Sequence, residues 1–164
     1  MQSYISGPAE IERKSFEIIS QLLEGRSFPP LHEPVVKRVI HTTADLEYAD
    51  ILKISENAVE KGLQALKSGC GIVTDTRMAE AGVSKRSLAR LGLRLSCFMD
   101  DGEVAKEATR RGTTRAAVSM EKASADPANR IFAIGNAPTA LIRLCELISE
   151  GAVRPDLVIG VPVG

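Results

Sequence analysis

Four short apolar runs, each closed by an aspartate, a glycine or a turn, constrain this chain more than any other feature. They are Gly71-Ile72-Val73-Thr74-Asp75, Leu93-Arg94-Leu95-Ser96-Cys97-Phe98, Ile131-Phe132-Ala133-Ile134-Gly135 and Leu157-Val158-Ile159-Gly160-Val161. The stretches between them carry apolar residues at helical spacing, so strand and helix alternate. Alternation of this kind predicts an α/β fold, a three-layer sandwich with a mostly parallel sheet and helices on both faces. Such sheets take ligands beyond the carboxyl ends of their strands. Here those ends are Thr74-Asp75-Thr76, Met99-Asp100-Asp101, Gly135-Asn136-Ala137-Pro138-Thr139 and Pro162-Val163-Gly164. The 164 residues suit one domain with a sizeable core, so a single α/β domain over 1–164 is expected.

The part before the first strand reads as helical. Ser6-Gly7-Pro8 is a helix start, and the helix is predicted from about Pro8 to Leu23 with Ile11, Ile18, Ile19, Leu22 and Leu23 on its inner face. Ser15 falls on that face, where its hydroxyl either bonds back to the carbonyl four residues earlier or points into a pocket. Gly25 to Pro34 is a connector stiffened by Pro29, Pro30 and Pro34, with His32 expected in solvent. Pro34 opens a second helix through Val35, Val36, Val39 and Ile40, which puts Arg38 and His41 near its end. Ser55 is expected to cap a further helix with Ala58, Val59, Gly62, Leu63 and Leu66 inward and Gly69 as its stop.

The first candidate for chemistry is Arg38-Val39-Ile40-His41-Thr42-Thr43-Ala44-Asp45, where an imidazole follows an apolar pair and precedes two hydroxyls and a carboxylate. With an ordinary pKa of about 6.5, histidine exchanges protons readily near neutrality. A buried or helix-capping histidine is the competing reading. The chain holds two histidines, and His32 lies in the connector. Asp45 and Asp75 would serve as acids only if burial kept them protonated. The second candidate is the turn Gly135-Asn136-Ala137-Pro138-Thr139, whose free N–H groups and positive helix end suit a carboxylate or phosphate. It is neither a GxGxxG nor a P-loop, and taken by itself an ordinary turn with Pro138 opening a helix is the better reading. Of Arg110, Arg111 and Arg115, around Gly112-Thr113-Thr114, two are expected on a solvated face.

Composition excludes several classes of partner. Lys+Arg and Asp+Glu both total 21, so net charge calls for neither nucleic acid nor an anionic membrane. Aromatic residues are 4% with no Trp, which argues against a base-stacking surface. No run approaches the roughly 18 apolar residues of a membrane span, and Met1-Gln2-Ser3-Tyr4 lacks the plan of a signal peptide, so a cytoplasmic protein is expected. Cys70, Cys97 and Cys145 have no metal-ligand spacing and read as reduced core residues.

Six segments, taken in order, resemble the precorrin-8X and cobalt-precorrin-8 methylmutases. They are Ile11-Glu12-Arg13-Lys14-Ser15-Phe16, Arg38 to Asp45, Ile72-Val73-Thr74-Asp75-Thr76-Arg77-Met78, Thr114-Arg115-Ala116-Ala117, Ile134 to Leu141 and Gly160-Val161-Pro162-Val163-Gly164. The resemblance implies an isomerase of vitamin B12 biosynthesis that moves a methyl group from C-11 to C-12 of a corrinoid by a 1,5-sigmatropic shift. It implies no cofactor, since any cobalt would arrive in the substrate. It makes His41 the proton donor and places substrate contacts at Ser15, Arg38 and Arg115; Lys14, Asp75 and Asn136 complete the expected substrate-binding set. Lys14 stands where the family usually has arginine, keeping the charge without the planar fork. The family continues past Pro162-Val163-Gly164, so a further C-terminal segment is expected, and it forms homodimers. Two alternatives stay open, a non-catalytic carrier of a corrinoid or other polyanion and a binder of a phosphorylated metabolite. The missing glycine fingerprint weakens the second.

Overall fold

The structure is a computed structural model that describes residues 7–163, so the expectations placed on Ser6 and Gly164 fall outside the described residues. The chain divides into two compact units, Met1–Val59 and Glu60–Gly164.

The first unit is helical: α1 (Pro8–Leu22), α2 (Glu33–Thr43) and α3 (Tyr48–Ile51). Proline opens both longer helices, where its missing N–H costs no hydrogen bond. Ala44, at φ 56°, closes α2 by donating its N–H to the Ile40 carbonyl. The core is a narrow seam in which Ile19 and Leu23 meet Val36 and Ile40, edged by Phe28, Tyr48 and Leu52. The broad inner face expected for α1 is not realised: Ile11 is 47% exposed, Ile18 47% and Leu22 58%. Within its unit α1 packs on α2, and one neighbouring helix covers only a stripe. His32 is half-buried rather than solvated, at the position preceding α2.

The second unit carries the sheet. Its elements are α4 (Ala58–Lys67, which begins at the unit boundary), β1 (Gly71–Thr74), α5 (Arg77–Gly82), α6 (Lys85–Leu91), β2 (Arg94–Ser96), α7 (Gly102–Arg111), α8 (Arg115–Ser124), β3 (Asn129–Ile134), α9 (Pro138–Ser149) and β4 (Leu157–Gly160). The strands run parallel in the order β2-β1-β3-β4. Successive side chains on a strand point to opposite faces, and the packing follows that period. Val73, Phe132, Ile134 and Val158 pack with Ala116, Met120 and Ala123 of α8 and Ala140, Leu144 and Leu147 of α9. Ile72, Leu95, Ile131 and Leu157 pack with Ala65 and Leu66 of α4 and Leu88 of α6. The sheet is therefore covered on both faces, as the sequence led us to expect. Each large side chain fully removed from water here, Phe132 and Leu144 among them, contributes about 1.5–3 kcal/mol.

The α4 expectation needs correction at its start and its face. Asn57, at φ 59°, turns the chain just before the helix, so α4 begins at Ala58 and Ser55 lies outside it. Gly62 and Ala65 are its buried residues, while Leu63 is 40% exposed. A Cβ on Gly62 would stand 2.8 Å from Leu157 Cδ2, so this glycine sets how closely α4 approaches β4.

Candidate functional site

In the first unit, helical spacing gathers five side chains on facing surfaces of α1 and α2. Glu12, Ser15 and Phe16 lie three and four residues apart on one helix, and Arg38 and His41 lie three apart on the other. The His41 and Phe16 rings stack with centroids 5.0 Å apart and planes 24° from parallel. The Arg38 guanidinium carbon sits 4.7 Å from the centre of the same Phe16 ring. Arg38 Nη1 also donates to Glu12 Oε1 at 2.6 Å. That hydrogen bond and the Arg38 charge hold the Glu12 carboxyl below its ordinary value, with a smaller contribution from the charge of His41.

His41 is half-buried, in the last turn of α2. The polar residues after it do not serve it. Thr42 and Thr43 donate back to the carbonyls of Arg38 and Val39, and Asp45 accepts the Glu47 N–H at 2.8 Å in a turn. Ser20 back-bonds to Phe16 in the same way, but among the described residues Ser15 makes no such bond, and it is half-buried. Lys14 is exposed, with Nζ 3.6 Å from Glu17. Phe16, Arg38 and Lys37 line a shallow groove along this surface. An imidazole open to solvent on one side, seated on an aromatic ring beside a guanidinium, can exchange a proton with an anionic ligand.

In the second unit, the carboxyl ends of β1 and β3 form the point where the chain leads to β2 on one side and β4 on the other. Asp75 stands there fully buried. Its Oδ1 accepts the Gly135 N–H at 3.0 Å, and its Oδ2 accepts those of Asn136 at 2.8 Å and Ala137 at 2.6 Å. The donors expected to greet a ligand are thus taken by the protein's own carboxylate, which corrects the reading of this turn as an open anion cradle. Asp75 itself is 0% exposed, with both carboxylate oxygens turned to the protein's own N–H groups. Its partners lie some sixty residues away, beyond the reach of any local pattern.

Asn136 is half-buried in the tied turn. Just beyond, Thr139 Oγ1 accepts a hydrogen bond from Thr114 Oγ1 at 2.9 Å. Thr114 caps α8 by accepting the Ala117 N–H, so Arg115, the first residue of α8, is fixed beside the start of α9. Arg110 pairs with Glu107 and Arg111 with Glu121, leaving Arg115 exposed and, among the described residues, outside any ion pair. All three arginines are exposed, so solvation does not divide them as expected; what sets Arg115 apart is that, among the described residues, it has no ion partner. Sequence reasoning passed over Glu12, Phe16, Thr114 and Thr139; the three-and-four spacing of Glu12, Ser15 and Phe16 was the signal for the first two.

Among the described residues, no three His, Cys, Asp or Glu side chains stand together as metal ligands, and no helix is long and apolar enough to cross a membrane. The cysteines are free. Cys70 and Cys97 are buried as expected, but Cys145 is exposed on the outer side of α9.

Comparison with known proteins sets these residues in context. Residues 10–164 match the family model described as precorrin-8X methylmutase. A cobalt-precorrin-8 methylmutase of Priestia megaterium is 43% identical over 157 residues, which are 96% of this chain and 70% of that protein. One from Salmonella typhimurium is 44% identical over 167 residues, 98% of this chain and 78% of the relative. A precorrin-8X methylmutase of Pseudomonas aeruginosa is 35% identical across 100% of this chain and 78% of its own length. The solved structure of a precorrin-8X methylmutase from Thermus thermophilus superposes with a TM-score of 0.84 at 40% identity, covering 95% of this chain and 75% of that one.

Proposed function

The chain belongs to the precorrin-8X methylmutase family, and from that premise we propose that it converts (cobalt-)precorrin-8 to (cob)hydrogenobyrinic acid by moving a methyl group from C-11 to C-12, with His41 as the proton donor. The reaction is an isomerisation. The C-11–methyl bond breaks as the C-12–methyl bond forms, and the proton that His41 lends to the macrocycle is returned, because substrate and product have the same atoms. Neither a methyl donor nor a redox partner enters.

The observation that carries this reading is the seat of His41, half-open to solvent and stacked on Phe16 with Arg38 over the same ring. General acid assistance from a placed imidazole is worth roughly 10²–10⁴-fold. The corrinoid's carboxylates are held by Arg38, Arg115 and Lys14, with Ser15 and Asn136 as neutral partners; guanidinium forks suit carboxylates best. The protein works in the cytoplasm as a homodimer. Relatives carry both the cobalt and the cobalt-free name, so both substrates belong in the assay.

Single-turnover conversion followed by the visible spectrum tests the assignment, with circular dichroism as the folding control. His41→Ala is expected to stay folded, keep most of its affinity for product and lose 10²–10⁴-fold in rate. A folded variant that converts substrate at the parent rate overturns the role of His41. A parent protein that binds the corrinoid and never converts it is a carrier instead.

A further inference from the structure

We infer that Asp75 is a positioning residue of this reaction: it touches no substrate and sets Asn136 for contact by gripping the backbone of Gly135, Asn136 and Ala137. The inference rests on the methylmutase reading, which supplies the corrinoid as ligand. Asp75 lies at 0% exposure, and removing a carboxylate from water is costly unless its oxygens are well satisfied. Here both oxygens are satisfied by three N–H groups from consecutive residues, at 2.6 to 3.0 Å. A surface turn that merely led into α9 would find water for those donors, and Pro138 already starts the helix without an N–H.

The grip has two effects on this end of the sheet. It makes the turn part of β1 as well as of β3, so the side chain of Asn136 leaves a backbone held on both sides. It also cancels the attraction of the turn's N–H groups for anions, so a ligand carboxylate is directed to the Asn136 amide and the exposed Arg115 rather than to the main chain. The second effect explains why a phosphate-binding turn is a poor reading of Gly135 to Thr139.

The test is a double-mutant cycle in affinity for hydrogenobyrinic acid, read by visible titration, using the parent protein, Asp75→Asn, Asn136→Ala and the double variant. An asparagine keeps one oxygen and turns an NH₂ group toward an N–H that it cannot accept, so the turn loosens. Asp75→Asn is expected to weaken product binding about ten- to a hundred-fold, the order expected for a displaced ligand contact. In the Asn136→Ala background the same change is expected to add little. Additive losses, or parent affinity in Asp75→Asn, overturn the inference. Should Asp75→Asn fail to fold, Ala137→Pro removes one of the three donors without touching the carboxylate; φ at Ala137 is −92°, near the range proline adopts. Parent affinity in Ala137→Pro overturns the inference equally. A parent protein that binds no hydrogenobyrinic acid overturns the methylmutase reading itself, a result distinct from any pattern within the cycle.

Discussion

The two units hold their functional side chains in opposite ways. In the second, Asp75 is buried and saturated with N–H donors, while Arg111 and Arg143 converge on Glu121, and Arg143 also reaches Glu146. In the first, His41 and Arg38 lean on one ring, and the partner of Arg38 is an exposed carboxylate. The cores differ in the same sense, with ten buried residues in the larger cluster of the second unit against four in the first. Burial fixes geometry but removes a group from exchange with its surroundings. The imidazole on the lightly packed helices keeps that exchange, and the carboxylate that holds a turn in the packed sheet gives it up.

Core truncations give the largest expected effects. Leu144→Ala and Ile40→Ala both remove fully buried side chains and fall in the range of about 2–5 kcal/mol. Leu144 sits among sheet and two helices that cannot close over a void, so its loss should lie near the top; Ile40 lies in a two-helix seam that can contract, so its loss should lie near the bottom. Urea unfolding measures both, and equal losses would break the comparison. Next come the arginines. Arg115→Ala and Arg38→Ala should weaken product binding by about 1.5–3 kcal/mol, roughly ten- to a hundred-fold. Arg38 must first leave Glu12, so the Arg115 variant should lose more, and titration of product into each decides it. Ser15→Ala should fold as the parent does and lose about 0.5–1.5 kcal/mol of affinity, as for one neutral hydrogen bond. A gain in stability with unchanged binding would show a back-bonded hydroxyl.

The smallest effect is in acid. Because Arg38 lowers the Glu12 carboxyl from its ordinary 4.5, the pair's stabilisation is fully present above about that pH and is lost as pH falls through the lower folded value. Arg38→Ala should return Glu12 upward, which the carboxyl carbon shift reports in an NMR titration. Asp101 of the second unit, lowered first by its hydrogen bond with Lys122 and further by the Val104 N–H, should not respond.

The alternation of strand and helix was legible because a parallel strand buried on both faces reads as an unbroken apolar run, as Ile72-Val73 and Ile131-Phe132 do. Helix ends marked by proline were legible for the same local reason, whereas the start of α4 hid behind Asn57, whose left-handed backbone no spacing announces. Which face of α1 is covered depends on how many elements meet it, so Ile11 and Ile18 were misjudged. His41, Arg38 and Arg115 could be named from residue chemistry and resemblance. Their supports could not, since Phe16 meets His41 only across two helices and Thr114 meets Thr139 only when α8 and α9 lie together.

The Asp75 grip also orders the making of the protein in time. Its bonds join residues 60 to 62 positions apart, and an intervening loop of that length must be closed before any of them can form. Contacts of such separation are slow to reach and bring no reward until β1 and β3 have paired. Burial of Asp75 is therefore tied to the arrival of β3 beside β1. The helices bearing His41 depend on no such closure. The Asp75 contacts form only with the pairing of β1 and β3 at the centre of the sheet.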